Sequence, residues 1–295
     1  MESPKVSIFF PVFNSVKTVA KAIDSILAQS FNDFVLVISD DCSTDGTQSI
    51  LVEYARKYPD KIRLFLEDVN LGPVIHFNKM LNYMSGEYIC FTSGDDVFVS
   101  NKLEVQVDEL EQNPSVGMVI HSYCLMDGDG SVGADFSLRE SLFKSSDLHR
   151  IPMVTLGVMV RRDLLSGLSY TSRYADSLLF FEYILKSRCN VKVIKDQLIY
   201  YVRTDNSLNS VKIDGIDLQR KKIINKELIQ GLGGFLIDYP AMHRPLTKSM
   251  QNVLRDSRHV DGIQRYREYL YSALALGWDF RSFVLLICSY LGFYR

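Results

Sequence analysis

The stretch VSIFFPVFNSVKTVAKAIDSILAQSFNDFVLVISDDCSTDGTQSIL, Val6–Leu51, decides the fold. Lys5–Phe10 is an almost unbroken apolar run and reads as a buried strand. Ser15–Ser30 places Val16, Val19, Ala20, Ile23, Ile26 and Leu27 on one stripe of a 3.6-residue period, which predicts a helix. Asn14 or Ser15 can cap it. Phe34–Ser39 returns to strand, and Thr47–Tyr58 predicts a second helix with Ile50, Leu51, Tyr54 and Ala55 inward.

The alternation continues outward. Ile62–Glu67, Glu87–Thr92 and Val116–Ser122 read as strands, and Val74–Met84 and Asn101–Gln112 as helices. Repeated βαβ units predict an α/β fold with a mostly parallel central sheet flanked by helices. Such sheets bind ligands beyond the carboxyl ends of their strands. Asp40 and Asp41 follow the second strand, and Asp95 and Asp96 follow the fourth. Later, Asp127–Gly133 is a turn cluster, Met153–Leu165 and Val191–Val202 are strand-rich, and Asp176–Ser187 reads as a helix. From Ile216 onward the pattern is helical.

The chain has 295 residues, 47% hydrophobic and 23% charged, with a net charge of -2, which counts against a dedicated nucleic-acid binder. Its five cysteines, Cys42, Cys90, Cys124, Cys189 and Cys288, form no CxxC pair and suit reduced thiols in a cytoplasm. The opening MESPKVSIFF lacks the marks of a secretory signal, and FVLLICSYLGF, Phe283–Phe293, is short for a membrane span.

The stretch FTSGDDVF, Phe91–Phe98, sets two carboxylates side by side at the mouth of a buried strand. Like charges repel, and burial adds to the cost. A bound divalent cation reverses that balance. The dinucleotide fingerprint GxGxxG is missing, because PVFNSV follows the first strand and the first glycine of the chain is Gly46. No Walker A loop is present either. Carboxylates alone would repel a diphosphate, so the acidic loop implies a bridging metal.

Val6–Leu51 strongly resembles the start of an inverting family 2 glycosyltransferase with the GT-A fold. NLGPVIHFNKMLNYMSGEYICFTSGDDVFVSNKLE, Asn70–Glu104, resembles the segment with that family's DxD motif; ADSLLFFEYI resembles its acceptor-site helix, and YYVRTDNSLNS its closing strand and loop. The resemblance implies a catalytic domain over 1–214, with a nucleotide-sugar half at 1–122 and an acceptor half at 123–214. A C-terminal helical region would follow at 215–295.

It also implies roles. Pro11, Val12, Phe13 and Asn14 would line the nucleotide base. Asp40 or Asp41 would contact the nucleotide, Asp41 accepting the N3–H of a uracil, as a pure acceptor can. The competing reading of the pair is an Asx turn, a task open also to Ser43, Thr44 or Asp45. Asn70 and Gly72 would border the donor, in a segment where the family places a glycine of close backbone approach; Gly72 reads equally as a turn glycine. Asp95 would ligate Mg²⁺ or Mn²⁺, with Gly94 allowing close approach. Ser93 stands where the family carries its first aspartate and would bond a ribose hydroxyl or a metal-bound water. Asp176 would be the catalytic base, with Glu182 as reserve and Ala175 where the family often has Glu. Asp205 stands at a family histidine position and could ligate metal; Arg203 could pair with diphosphate, as could Arg161 and Arg162. His76, His121, His149, His243 and His259 show no metal spacing, and Trp278 reads as core or interface.

The end of the chain, Met242–Arg295, is net basic with an apolar, aromatic finish. It reads equally as a helix on an anionic membrane or as one packed on the catalytic domain or in a homodimer. The expectation is a metal-dependent hexosyltransferase that moves a sugar from a nucleoside-diphosphate donor, UDP favoured, to a saccharide hydroxyl, which can be polyprenyl-linked. Family habit adds bacterial O-antigen or capsule synthesis, in the cytoplasm or at the inner face of its membrane. The rivals are a nucleotidyltransferase and a non-catalytic nucleotide-sugar binding subunit.

Overall fold

In the computed structural model, which describes residues 3–145, 151, 155–168 and 176–202, the predicted alternation forms one sheet. Its strands are β1 (Val6–Val12), β2 (Phe34–Asp40), β3 (Ile62–Leu66), β4 (Tyr88–Phe91), β5 (Val97–Phe98), β6 (Val116–Met126), β7 (Val132–Phe136), β8 (Ser141–Phe143), β9 (Met159–Arg161) and β10 (Asn190–Val202). The helices are α1 (Val19–Leu27), α2 (Thr47–Lys57), α3 (Gly72–Leu81), α4 (Lys102–Gln112) and α5 (Asp176–Ser187). The strand order is β3-β2-β1-β4-β9-β6-β10-β5, with β7 beside β6 and β8 beside β10.

From β3 to β4 the sheet is parallel, as the alternation predicts. Beyond β4 it is mixed. β9 runs antiparallel to both β4 and β6, while β6 and β10 are parallel to each other. The carboxyl ends of β1, β2, β4, β6 and β10 therefore share one edge.

Both faces of β1 are buried, which explains its lack of alternation. Val6, Ile8, Phe10 and Val12 join Val19, Ala22, Ile23 and Ile26 of α1 in one core cluster. On the other face Phe9 meets Phe77 of α3 at 4.5 Å and Phe91 at 5.0 Å. Helix α1 starts later than its apolar stripe suggests. Asn14 is left-handed at φ 50, and the Thr18 N–H turns back to Ser15 O, so a separate turn precedes the helix; the N–H groups of Asn14, Ser15 and Val16 tie that turn to Ser43, Thr47 and Asp45. Neither Asn14 nor Ser15 caps α1 with its side chain; Thr18 holds the cap position.

Chain packing divides the molecule into two compact units, Met1–Tyr170 with Leu179–Ser210, and Thr171–Leu178 with Val211–Arg295. The first unit holds the sheet. The residues of the C-terminal helical expectation, 215–295, lie outside the described set, with Trp278 and Cys288 among them. The four cysteines in the described set are unpaired. No helix among the described residues is long and apolar enough to cross a membrane.

The late start of α1 is testable by comparing two of its predicted stripe residues. Ile23→Ala, at a fully buried site, is expected to lower stability by about 3 kcal/mol. Val16→Ala, before the helix and 37% exposed, should change it by no more than about 0.5 kcal/mol. Urea unfolding reads both; equal losses would place Val16 in the core after all.

Candidate donor-binding site

Three loops leave the shared edge side by side, from β1, β2 and β4, and side chains stitch them together. Asn14, at φ 50, donates its N–H to Ser43 Oγ (2.8 Å), and its Oδ1 accepts from Thr44 N–H (2.9 Å). Ser15 N–H donates to Thr47 Oγ1 and Val16 N–H to Asp45 Oδ2. Asp45 Oδ1 also accepts from the Thr47 N–H and hydroxyl. Burial pushes the Asp45 carboxyl up, but these hydrogen bonds outweigh it and hold the group below the usual carboxylate range. From α1, Thr18 Oγ1 donates to Gly94 O at 3.0 Å. Pro11 and Val12 close β1, and Val12 O accepts the Asp41 N–H, while Phe13 is half exposed at the loop.

Asp40 and Asp41 divide their work. Asp40 is fully buried; its Oδ2 accepts from Ser43 N–H and Gln48 Nε2, and its Oδ1 has no partner. It thus makes the Asx-type turn. Asp45 receives the first N–H of α2, so Asp41 is not needed there. Asp41 instead accepts from Leu71 N–H (2.7 Å) and Gly72 N–H (3.0 Å), one per oxygen, at the start of α3. Each carboxylate oxygen retains a further lone pair. Asn70 braces the same corner, Nδ2 donating to Asp41 O and Oδ1 accepting from Gly72 N–H. Gly72 has φ +74, the left-handed region that favours glycine.

The loop after β4 concentrates the charge. Ser93 Oγ lies 2.6 Å from Asp95 Oδ1 and 2.6 Å from Asp96 Oδ2. A hydroxyl has one proton for these two contacts. Asp96 is fully buried, and its Oδ1 has no partner; nor has the buried Thr92 Oγ1. Burial, then the neighbouring Asp95 charge, pushes the Asp96 carboxyl well above its usual range. Burial raises Asp95 too, against the Ser93 hydrogen bond. Orphaned hard oxygens and crowded negative charge are what a divalent cation relieves, so these residues fit one. Ser93, expected to face ribose or a metal-bound water, here joins the two carboxylates.

Other expected residues fall elsewhere. Arg161 donates Nε to Val116 O, reaches Leu110 O and lies over the Tyr88 ring; Arg162 donates to Gly86 O. Both sit at the opposite end of β4 from the acidic loop, with Arg161 opposite Tyr88, which removes them as diphosphate ligands. His76 is buried against Ser39 Oγ at 2.7 Å. Among the described residues no group of three or more His, Cys, Asp or Glu side chains gathers as a metal cluster. Asp176 is the first residue of α5, the place expected of it. The side chains of Asp176 and Glu182 lie outside the described residues, as do Arg203, Asp205, His149, His243 and His259.

One polar knot was not anticipated. Lys102 is fully buried and donates to Gly157 O (2.7 Å), to Gln106 Oε1 and to Cys90 Sγ. Gln106 Nε2 and His121 Nε2 also reach Gly157 O, at 3.0 and 3.2 Å. Burial lowers the Lys102 pKa, and burial with the Lys102 charge pushes His121 down to about 3. Gly157 has φ +65, and a Cβ there would stand 2.8 Å from His121 Nε2. The knot pins the segment whose Val158 O accepts the Phe91 N–H at the end of β4. The sequence signal was a lysine and a glutamine four residues apart beside the apolar stripe of α4.

Several known proteins resemble this chain. The putative glycosyltransferase EpsE of Bacillus subtilis is 37% identical over 131 residues, covering 44% of this chain and 47% of its own length. The UDP-Glc:alpha-D-GlcNAc-diphosphoundecaprenol beta-1,3-glucosyltransferase WfgD of Escherichia coli is 26% identical over 221 residues, 74% of this chain and 85% of that one. Among solved structures, S. aureus TarS 1-349 in complex with UDP-GlcNAc aligns with TM-score 0.61 at 18% identity, covering 91% of this chain and 81% of its own. The mannosyltransferase PcManGT of Pyrobaculum calidifontis, in complex with GDP-Man and Mn²⁺, aligns with TM-score 0.58 at 19% identity, covering 100% and 82%. The fold is the expected GT-A fold. The model of glycosyl transferase family 2 matches residues 7–165, from β1 through the acidic loop to the turn after β9, and the chain belongs to that family.

Proposed function

We propose that the chain is a metal-dependent, inverting glycosyltransferase that moves a hexosyl unit from a UDP-sugar to a hydroxyl of a saccharide acceptor. The observation that carries this reading is the Ser93–Asp96 loop, with its orphaned carboxylate oxygen, set level with the loops of β1 and β2. WfgD, by its name, uses UDP-Glc and a diphosphoundecaprenol-linked acceptor, and TarS binds UDP-GlcNAc. These support a UDP donor and a polyprenyl-linked acceptor of the bacterial surface-polysaccharide type. Family membership speaks against a nucleotidyltransferase.

Asp95, together with Asp205 from outside the described residues, would hold Mg²⁺ or Mn²⁺. That ion, when bound, offsets the charge gathering on the departing UDP. Asp41 reads the uracil imide while it holds the start of α3. The β1 loop, with Phe13 half exposed, covers the base. Asp176 takes the proton from the acceptor hydroxyl as it attacks the anomeric carbon, which inverts the configuration there. Residues 215–295, whose sequence pattern reads as helical, would serve the lipid-linked acceptor at the membrane surface.

UDP release from UDP-Glc, UDP-GlcNAc and UDP-Gal, with lipid-linked sugar acceptors, tests the reading. Wild type should turn over with at least one pair, and Asp176→Asn should lower kcat by about 10²–10⁴ without weakening UDP binding. Full activity in Asp176→Asn would remove it as the base. UDP binding without turnover on any acceptor would instead favour a binding subunit, the alternative raised by Ser93 and Ala175.

Base reading separates from capping in Asp41→Asn. The amide cannot accept at both oxygens, so α3 should lose about 1 kcal/mol in thermal unfolding, and UDP affinity should fall about tenfold in calorimetry. A lower melting point with unchanged UDP affinity would leave Asp41 as a cap alone.

A further inference from the structure

An aromatic cluster lies outside the donor loops. Tyr123 of β6 and Phe136 of β7 stack with centroids 4.7 Å apart and planes within 4°. Tyr201 of β10 meets Tyr123 edge-on at 6.5 Å. Phe136 is 45% exposed even with one face on Tyr123. A lone exposed phenylalanine is unremarkable on a protein surface. Its place in the sheet is what distinguishes this one.

β9 and β7 share one flank of β6. β9 stands opposite Met118 and Val119, and β7 opposite Tyr123, Cys124 and Met126. β9 also pairs with β4, Met159 opposite Cys90, and Val158 O takes the Phe91 N–H. Past that point β4 becomes the Ser93–Asp96 loop, and β7 replaces β9 on the flank of β6. Phe136 therefore enters the sheet at the level of the acidic loop. On the other flank of β6, β10 sets Tyr200 opposite Val97, the residue after Asp96. The strands that enter and leave the acidic loop, β4 and β5, thus lie on opposite flanks of β6.

Resting on the glycosyltransferase reading, we propose that the Tyr123–Phe136 stack is a saccharide platform, on which a pyranose ring of the acceptor lies beside the acidic loop. A pyranose has a flat face of C–H groups and a rim of hydroxyls. A rigid aromatic stack covers the first at little entropic cost, and the Tyr123 phenol and solvent serve the second. A prenyl or acyl chain would need a longer aliphatic surface than this small, flat cluster beside buried carboxylates.

Saturation-transfer NMR on the full chain tests this. The probes are methyl glucoside, methyl galactoside and methyl N-acetylglucosaminide, each with UDP and Mn²⁺. At least one should receive saturation at its ring C–H protons. Phe136→Ala should lower that transfer about fivefold, as should Phe136→Leu, which keeps apolar bulk against Tyr123 without a ring. Phe136→Tyr should retain it, and so should Leu142→Ala, at an exposed site on β8. Unchanged transfer in both Phe136→Ala and Phe136→Leu overturns the platform, as does wild type that contacts none of the probes. Calorimetry with UDP on the same samples is read separately: no UDP binding by wild type contradicts the donor reading, while the Phe136 comparison still decides the platform.

Discussion

One serine hydroxyl stands between two carboxylates, and the site is built around that shortage. Ser93 Oγ is 2.6 Å from an oxygen of each of Asp95 and Asp96, yet it has a single proton to give. The backbone of the loop is held on both sides of the pair. Thr92 N–H is held by Phe9 O, Gly94 O by Thr18, and Val97 and Phe98 by pairing with β10. Two carboxyls whose ionised forms burial disfavours are thus held at the edge where β1 and β2 deliver their own loops. A hard cation brought by a diphosphate would find there a site already assembled, with little reorganisation to undergo.

The stiffness of that edge comes from polar groups spent inside the fold. Asp40, Asp41, Asp45, Asn14 and Asn70 all hold backbone N–H or C=O groups of neighbouring loops. Behind the sheet, Lys102, Gln106 and His121 converge on one carbonyl, Gly157 O, and so fix β9 against the end of β4. Buried polar groups of this kind are costly unless each is partnered. That they are nearly all partnered, apart from Asp40 Oδ1, Thr92 Oγ1 and Asp96 Oδ1, marks those three atoms as exceptions. Among the described residues, one of them belongs to the acidic loop and another, on Thr92, directly precedes it.

Much of this was legible in the sequence, for physical reasons. β1, β2 and β4 are buried on both faces, and the helices between the strands carry clear stripes, so period and order sufficed. The Asp95–Asp96 pair was conspicuous because adjacent charges beside a buried run are rare without a purpose. The β9 crossing was not legible, since a three-residue strand carries too little pattern to show its direction. Helix α1 began later than its stripe because residues 14–18 form a turn tied to the loop after β2. Arg161 and Arg162 looked like phosphate ligands from charge alone, but they serve carbonyls at the far end of the sheet. The Tyr123–Phe136 stack depends on strand register, which residue types do not reveal.

The Ser93–Asp96 loop is proposed to bind a UDP donor through a divalent cation. Calorimetry with UDP, GDP and dTDP, with and without Mn²⁺, on wild type and Asp95→Ala, tests it most directly. UDP-selective binding that needs Mn²⁺ and is lost in Asp95→Ala is the expected result. Tight UDP binding without metal, unchanged in Asp95→Ala, would contradict it.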